Sequence, residues 1–259
     1  MAAAVVGVSA SSSVASSSVN PGLMTAGTLV VGMNLQFKPE MYLKGNTPAG
    51  YDVDLVKALA KAMGVKLKID NLAFTGLIPG LQSKKFDLVS VGLTNTPARA
   101  KVVAFTSPYV PYAQVLAVPT KDAASVTSTS VLNKKGKVIS ALLGSTAQIE
   151  AKTVFPNATV TALADQNSDF LLVATGRANG IVVEDYLLAQ FQAANPGKLA
   201  KAPIKPLDVQ YGSWAVQHGN SKLVKYLNSF LCTAQKNGTL AKIYEKDFAV
   251  PAFPGLPAC

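Results

Sequence analysis

The side chains that most often carry catalysis are scarce in this sequence. His218 is the only histidine among the 259 residues, so Ser–His catalysis would depend on that one residue and two-histidine metal centres are excluded. Cys232 and Cys259 are the only cysteines, which is too few for a zinc site or a disulfide scaffold but leaves one disulfide possible. The sequence contains no GxGxxG or GxxxxGK[ST] loop, no GxSxG elbow and no HExxH motif. We therefore expect no metal and no cofactor.

Charge and composition narrow the class of partner. There are 24 lysines and arginines against 14 aspartates and glutamates, for a formal net charge of +10. Such an excess would suit nucleic acid or an anionic surface, but no basic block is interleaved with aromatic residues, so we expect no nucleic-acid partner. A composition of 49% hydrophobic and 15% charged residues is typical of a folded chain, and the length fits one large domain or two modest ones.

The N-terminal segment contains small and apolar residues and no charge before Lys38. Ala2 to Val8 resembles the apolar part of a signal peptide that lacks its basic start, with cleavage after Ala10. A serine-rich linker tail explains this N-terminal segment nearly as well as a signal peptide does. We assign residues 1–26 to a signal remnant or a disordered leader, and no later run of about 18 apolar residues predicts a membrane span.

Strands and helices alternate from Thr28 onward, and this alternation predicts a parallel sheet. A buried strand at Thr28–Met33 is followed by a helix that starts near Asp52 or Asp54 as its cap and ends at Gly64. A strand at 65–69 then completes a right-handed βαβ unit. Further elements predicted in this block are a helix over 76–83, a strand over 86–91 and a short helix that begins at Thr96-Pro97.

A second α/β block repeats this plan after a polar stretch at 121–130. Two extended segments, 112–119 and 208–216, separate it from the first block and from two C-terminal helices. This order suggests an α/β protein whose chain crosses twice between two lobes: residues 27–114 and 209–259 form lobe 1, and residues 115–208 form lobe 2. Ligands in such folds lie at the carboxyl ends of the strands, here between the lobes. Element order alone leaves a contiguous two-domain enzyme open. The elements predicted in the second block are strands over 137–141, 158–162 and 180–183 and helices over 147–152, 169–175 and 186–193, with C-terminal helices over 221–237 and 240–246.

A series of short segments from Gly27 to Phe248 resembles the polar amino-acid family of periplasmic solute-binding proteins, the receptors of ABC importers. The segments are GTLVVGM at 27–33, AGYDVDLVKALAKAMGV at 49–65, FTGLIPGLQSKKFDLVSVGLTNTPAR at 74–99, FTSPYV at 105–110, GSTA at 144–147, TGRANGIVVED at 175–185, YGSWAV at 211–216 and NGTLAKIYEKDF at 237–248.

This resemblance implies a type II periplasmic binding protein fold. In that fold each lobe is a mostly parallel sheet flanked by helices, and two hinge crossings join the lobes. It also implies a monomer in the periplasm that closes on a free L-amino acid and meets an ABC-transporter permease in the inner membrane. We expect the hinge near residues 114–119 and 208–213.

The resemblance gives Arg99 the role of binding the ligand carboxylate. A guanidinium grips a carboxylate through two parallel N–H bonds, a geometry that lysine does not reproduce. Arg99 lies just inside a predicted helix start, where free backbone N–H groups also favour an anion. The other positions matched to the carboxylate and ammonium contacts are Gly92, Thr94, Ser145 and Thr146. Without the resemblance, Arg99 would be interpreted as a surface charge, Gly92 and Thr94 as a strand-to-helix turn, and Ser145 and Thr146 as a helix cap.

The ammonium group needs an anionic acceptor at the end of the strand GIVV. The family usually has aspartate there, whereas this chain has Glu184, followed by Asp185; we choose Glu184 and leave Asp185 open. Phe37 and Phe74 match the aromatic walls around the ligand side chain. Asn34 matches a position often held by aspartate in members that bind cationic or amide side chains. Its neutral amide weakens the case for lysine or arginine and leaves glutamine, histidine, small neutral and acidic amino acids open.

The sequence also leaves two other functions open and predicts one disulfide. Some relatives on this fold are cyclohexadienyl dehydratases, which use a carboxyl group as general acid, so a lyase is the alternative to a receptor. A surface or adhesion module has only the basic charge in its favour. Because the resemblance implies export, we also expect Cys232 and Cys259 to form a disulfide that ties the C-terminal tail to the last long helix.

Overall fold

The computed structural model describes residues 21–259, and strands alternate with helices along most of this range. Its strands are β1 (Thr28–Met33), β2 (Gln36–Phe37), β3 (Met41–Lys44), β4 (Thr47–Ala49), β5 (Lys66–Asn71), β6 (Leu88–Thr94), β7 (Val103–Pro119), β8 (Val138–Leu142), β9 (Thr159–Leu163), β10 (Gly180–Glu184), β11 (Leu199–Lys201) and β12 (Asp208–Gln217). Its α-helices are α1 (Tyr51–Met63), α2 (Phe74–Gln82), α3 (Pro97–Ala100), α4 (Thr146–Val154), α5 (Gln166–Ala174), α6 (Asp185–Ala194), α7 (Ser221–Lys236) and α8 (Thr239–Phe248).

The main sheet runs in the order β5-β1-β6-β12-β7-β10-β8-β9. Strands β5, β1 and β6 are mutually parallel, as are β10, β8 and β9, whereas β12 and β7 pair antiparallel with their neighbours. We call the first group, with α1, α2, α7 and α8, lobe 1, and the second group, with α4, α5 and α6, lobe 2. The predicted two-lobed α/β class is confirmed.

Strands β7 and β12 are the two connections between the lobes. They pair with each other from Val103 to Gln114 on β7, and β7 then pairs with β10 from Gln114 onward. The sequence predicted β7 only from residue 112, because its earlier half carries Pro108 and Pro111, which break the usual strand pattern. The three-stranded sheet β2-β3-β4 between residues 36 and 49 was not predicted, because its strands are only two to four residues long.

The sequence predicted the wrong N-terminal cap for helix α1. Neither Asp52 nor Asp54 caps it: the cap position is Gly50, which has no side chain to donate or accept a bond. Asp52 is instead fully buried, and its Oδ2 accepts hydrogen bonds from the hydroxyls of Ser90 (2.7 Å) and Tyr109 (2.6 Å). Burial raises the pKa of Asp52 to about 7. The predicted end is correct, with Gly64 at φ 66°.

The end of the predicted leader packs onto lobe 1. Leu23 is buried, the Met24 N–H donates to Asp87 Oδ1 (2.7 Å), and Asn220 Nδ2 donates to the Gly22 carbonyl (2.9 Å). The signal-peptide hypothesis for Ala2 to Ala10 concerns residues outside the described range. Within residues 21–259, no helix has the length and apolar character needed to cross a membrane.

The C-terminal tail is held against α7 and α8. Cys232 of α7 forms a disulfide with Cys259, as predicted. Phe253 stacks edge-on against Tyr244 at 5.0 Å, and its N–H donates to Glu245 Oε1 (3.1 Å). The tail therefore covers the aromatic face of α8 on the outside of lobe 1.

We predict that replacing both cysteines by serine lowers the free energy of unfolding by about 2–4 kcal/mol, because the bridge closes a loop with a sequence separation of 27 residues. Urea unfolding of the oxidised protein, the reduced protein and the double variant gives the comparison. The reduced protein and the variant are expected to agree with each other. Identical midpoints for all three would contradict the stabilising role of the disulfide.

Candidate functional site

A cleft lies between the lobes at the carboxyl ends of β6, β8 and β10. Both lobes and the crossing strand β7 supply its walls. The lining residues are Phe37, Glu40, Phe74, Val91, Gly92, Leu93, Thr94 and Arg99 from lobe 1, Tyr112 from β7, and Leu142, Ser145, Thr146, Glu184, Tyr186 and Leu187 from lobe 2.

Arg99 lies in the cleft wall and is only 9% exposed. Helix α3 positions it: the Thr96 hydroxyl accepts a hydrogen bond from the Arg99 N–H, and Pro97 takes the first helical position. Its guanidinium donates to the carbonyls of Thr94 (3.0 Å) and of Gly144 in lobe 2 (3.1 Å), and stands 5.8 Å from the centre of the Phe74 ring. The salt bridges among residues 21–259 do not include Arg99, so no carboxylate in that range lies within salt-bridge distance of this buried cation, and Glu184 acts on it only from farther away. Burial lowers the pKa of Arg99.

Two threonine hydroxyls meet from opposite sides of the cleft. Thr94 ends β6, and Thr146 begins α4 directly after its cap, Ser145. Both hydroxyls donate to Oε1 of Gln210 on β12, at 2.9 Å and 2.7 Å. Ser145 itself caps α4 by accepting from the Gln148 N–H (3.2 Å). These groups place hydrogen-bonding hydroxyls and a helix N-terminus beside Arg99.

Glu184 supplies a carboxylate to the lobe 2 wall. It is the last residue of β10 and the cap position of α6, and Gln114 Nε2 donates to its Oε1 (2.9 Å). Burial is the main reason that its pKa is raised. Asp185, the alternative left open by the sequence, is exposed and lies outside the cleft lining. The geometry therefore favours Glu184 as the cleft acid.

The two predicted aromatic residues line the cleft, whereas Asn34 does not. Phe37 and Phe74 both line the cleft and contact each other edge to face at 6.3 Å. Asn34 is absent from the lining; its Nδ2 donates to the Leu72 carbonyl (2.6 Å) and its Oδ1 accepts from Gln36. The side chain of Asn34 is thus hydrogen-bonded within the local loop, and its contact with the ligand stays a prediction. The structure thus brings eight of the nine predicted site residues to the cleft.

Three polar residues of the cleft were missed in the sequence. Glu40, only 1% exposed, accepts a hydrogen bond through Oε2 from the Tyr186 hydroxyl of lobe 2. The Tyr112 hydroxyl donates to the Gly92 carbonyl (2.9 Å) and contacts the Thr94 hydroxyl. One signal was available for Glu40: it is the first acidic residue of the chain and follows a Phe-Lys-Pro turn beside a predicted site residue.

The donor set of the described chain gives no metal centre. Within residues 21–259, no cluster of three or more histidine, cysteine, aspartate or glutamate side chains is arranged to hold a metal ion. The cleft combines one guanidinium, two carboxyl groups, several hydroxyls and two phenyl rings. Such a set is suited to holding a small zwitterion through charge-assisted hydrogen bonds.

Comparison with known proteins agrees with this geometry. The ABC transporter arginine-binding protein 1 of Escherichia coli K12 is 31% identical over 232 residues, covering 88% of this chain and 93% of that protein. A putative ABC-transporter binding component from Wolinella succinogenes, solved in complex with lysine, is 30% identical with a TM-score of 0.81, covering 88% of this chain and 98% of that one.

A third relative is an ancestral amino acid-binding protein described as a precursor of cyclohexadienyl dehydratase. It is 33% identical with a TM-score of 0.79, over 86% of this chain and 95% of that chain. Residues 29–250 match the family described as bacterial extracellular solute-binding proteins, family 3. Since this match spans both lobes, the chain belongs to family 3 of the bacterial extracellular solute-binding proteins.

Proposed function

We propose that this protein is an extracytoplasmic receptor that captures a free polar amino acid between its lobes and delivers it to an ABC-transporter permease. The observation that carries the proposal is Arg99, a buried guanidinium in the cleft with no carboxylate of the described chain within salt-bridge distance. A buried charge is costly unless it is paired. A ligand carboxylate would supply that pair, and Thr94 and Thr146 would hydrogen-bond it by giving up their present bonds to Gln210 Oε1.

The ligand ammonium has its partner on the opposite lobe. Glu184 presents a carboxylate at the end of β10, and Gln114 orients it by donating from Nε2. The two charged ends of one amino acid would then be held by two different lobes. A ligand that contacts both lobes binds the closed arrangement better than the open one, which is what shifts the population toward closure.

We also propose that the lobes move about the paired strands β7 and β12. The proposed boundary follows the sequence prediction, with residues 27–114 and 209–259 in lobe 1 and 115–208 in lobe 2. It is supported by the change of partner on β7, from β12 to β10, at Gln114. Hinges of this kind need only a few residues that change their backbone angles.

Ligand class and cellular setting are supported by the relatives. The relatives described above include an arginine-binding protein and a protein solved with lysine. The family is extracellular by its description, and we propose the periplasm for this chain, with a monomeric receptor as the active form.

A dehydratase activity is the competing function. Its support is the similarity to a dehydratase precursor and the presence of two cleft carboxyl groups, Glu40 and Glu184, with raised pKa values. Against it stands the charge of the substrate: prephenate carries two carboxylates, and the described cleft lining offers the single cation Arg99. Phenylpyruvate absorbance after mixing with prephenate would reveal the lyase, and we expect none.

A thermal-shift panel of the twenty amino acids and prephenate tests the receptor directly. A ligand at 100 times its dissociation constant stabilises the protein by about 2.7 kcal/mol, which raises the melting temperature measurably. We expect at least one amino acid to give this shift and prephenate to give none. A panel in which no amino acid shifts the melting temperature would refute the receptor.

Arg99→Ala is expected to weaken binding of that amino acid by at least about 100-fold, because breaking one side of a buried ion pair costs about 3–5 kcal/mol. Arg177→Ala is the matched control, since Arg177 is the other arginine of the chain and is exposed away from the cleft. Calorimetry measures both dissociation constants. Equal affinities in the two variants would place the carboxylate site elsewhere.

A further inference from the structure

Glu40 is held rigidly at the base of the cleft. The backbone carbonyl of Glu40 accepts a hydrogen bond from the Asp52 N–H (2.9 Å), and the backbone carbonyl of Pro39 accepts one from the Tyr51 N–H (3.3 Å). The first turn of α1 therefore fixes the backbone at residues 39 and 40. The side chain lies against the Cα of Gly92: a Cβ added to Gly92 would overlap Glu40 Oε1. Glycine at 92, at φ 55°, therefore leaves the room that this carboxyl group occupies.

Only one oxygen of Glu40 has a partner in the described chain. Oε2 accepts from the Tyr186 hydroxyl across the cleft, whereas Oε1 is buried and receives no hydrogen bond from residues 21–259. Burial, followed by the nearby Asp52 carboxylate, raises the pKa of Glu40 well above its ordinary value, and Glu184 adds to this. A cation brought into the cleft would reverse this effect by favouring the ionised carboxylate.

The charges of the cleft lining do not balance when the ligand side chain is neutral. Arg99 contributes +1, and Glu40 and Glu184 contribute −1 each when ionised, which leaves a net charge of −1 among the described lining residues. A zwitterion with a neutral side chain adds zero, so Glu40 would stay protonated in the closed cleft, the form that burial and Asp52 already favour. An amino acid with a cationic side chain adds +1 and makes the sum zero. A cationic side chain would favour the ionised carboxylate of Glu40 and pair with it, whereas a neutral side chain gains no such partner, so Glu40 discriminates between these ligands.

We propose that Glu40 is the residue that determines specificity, and that with Glu184 it pairs the two cationic groups of an amino acid such as arginine or lysine. This rests on the proposed receptor function. The phenyl rings of Phe37 and Phe74 add cation–π contact along the side chain. The neutral residue Asn34, from which the sequence disfavoured a cationic ligand, lies outside the cleft.

Isosteric ligand pairs isolate the charge. Citrulline replaces the guanidinium of arginine by a neutral urea, and 2-aminoheptanoic acid replaces the ammonium of lysine by a methyl group. Calorimetry on the wild-type protein is expected to give at least about 100-fold tighter binding of arginine over citrulline, or of lysine over 2-aminoheptanoic acid. Equal affinity for both members of each pair would overturn the proposal while leaving the receptor function intact; no binding of any amino acid would instead be a failure of the receptor function.

Glu40→Gln is expected to reduce the ratio between the better cationic ligand and its neutral isostere to less than about tenfold. Glu150→Gln is the matched control, because it removes the same charge from α4 outside the cleft lining and should keep the wild-type ratio. An unchanged ratio in Glu40→Gln would overturn the assignment. The wild-type ratio tests the proposal even where the variant fails to fold.

Gly92→Ala tests the position of Glu40 without any ligand. Gly136 also has a positive φ, 84°, but an added Cβ there meets nothing within 4 Å. Both alanine variants carry backbone strain, and only Gly92→Ala also displaces the Glu40 carboxyl group. We expect the melting temperature to fall further for Gly92→Ala than for Gly136→Ala. Equal falls would contradict the close packing of Glu40 on Gly92.

Discussion

The buried guanidinium of Arg99 is the constraint on which the rest of the cleft depends. A charge that is only 9% exposed must be compensated, and its hydrogen bonds in the described chain go to two backbone carbonyls, one in each lobe. The helix start at Thr96-Pro97 fixes its backbone, and the carboxyl ends of β6, β8 and β10 bring hydroxyl and carboxyl groups to face it. The cleft is thus arranged around the charges of a small ligand and not around a reactive nucleophile.

The two crossing strands connect this chemistry to the fold. Tyr112 and Gln114 of β7 and Gln210 of β12 lie on the connection itself, and each is hydrogen-bonded to a cleft residue. Oε1 of Gln210 accepts hydrogen bonds from both Thr94 of lobe 1 and Thr146 of lobe 2. Glu40 of lobe 1 accepts a hydrogen bond directly from the Tyr186 hydroxyl of lobe 2. Contacts that span the lobes are the means by which a ligand in the cleft can alter how the lobes sit together.

The sequence predicted what local patterns control. Alternating strands and helices gave the two-lobed fold, and motif positions led to Arg99, Thr94, Thr146 and the two phenylalanines in the cleft. It failed where tertiary packing decides the role of a residue: Asp52 looks like a helix cap but turns inward to Ser90. For Asn34 the structure shows a hydrogen bond to Leu72, and its predicted contact with the ligand stays a prediction. Glu40 reaches the cleft only through the fold of the short β2-β3-β4 sheet and the space left by Gly92, which no spacing rule reveals.

In the proposed receptor, one ligand is held by both lobes at once. Small-angle X-ray scattering with and without the amino acid that gives the largest thermal shift tests it most directly. If Arg99 in lobe 1 and Glu184 in lobe 2 hold opposite ends of the ligand, its presence at saturation must draw the lobes together and reduce the radius of gyration. A radius of gyration that stays the same at saturation would contradict the two-lobe clamp.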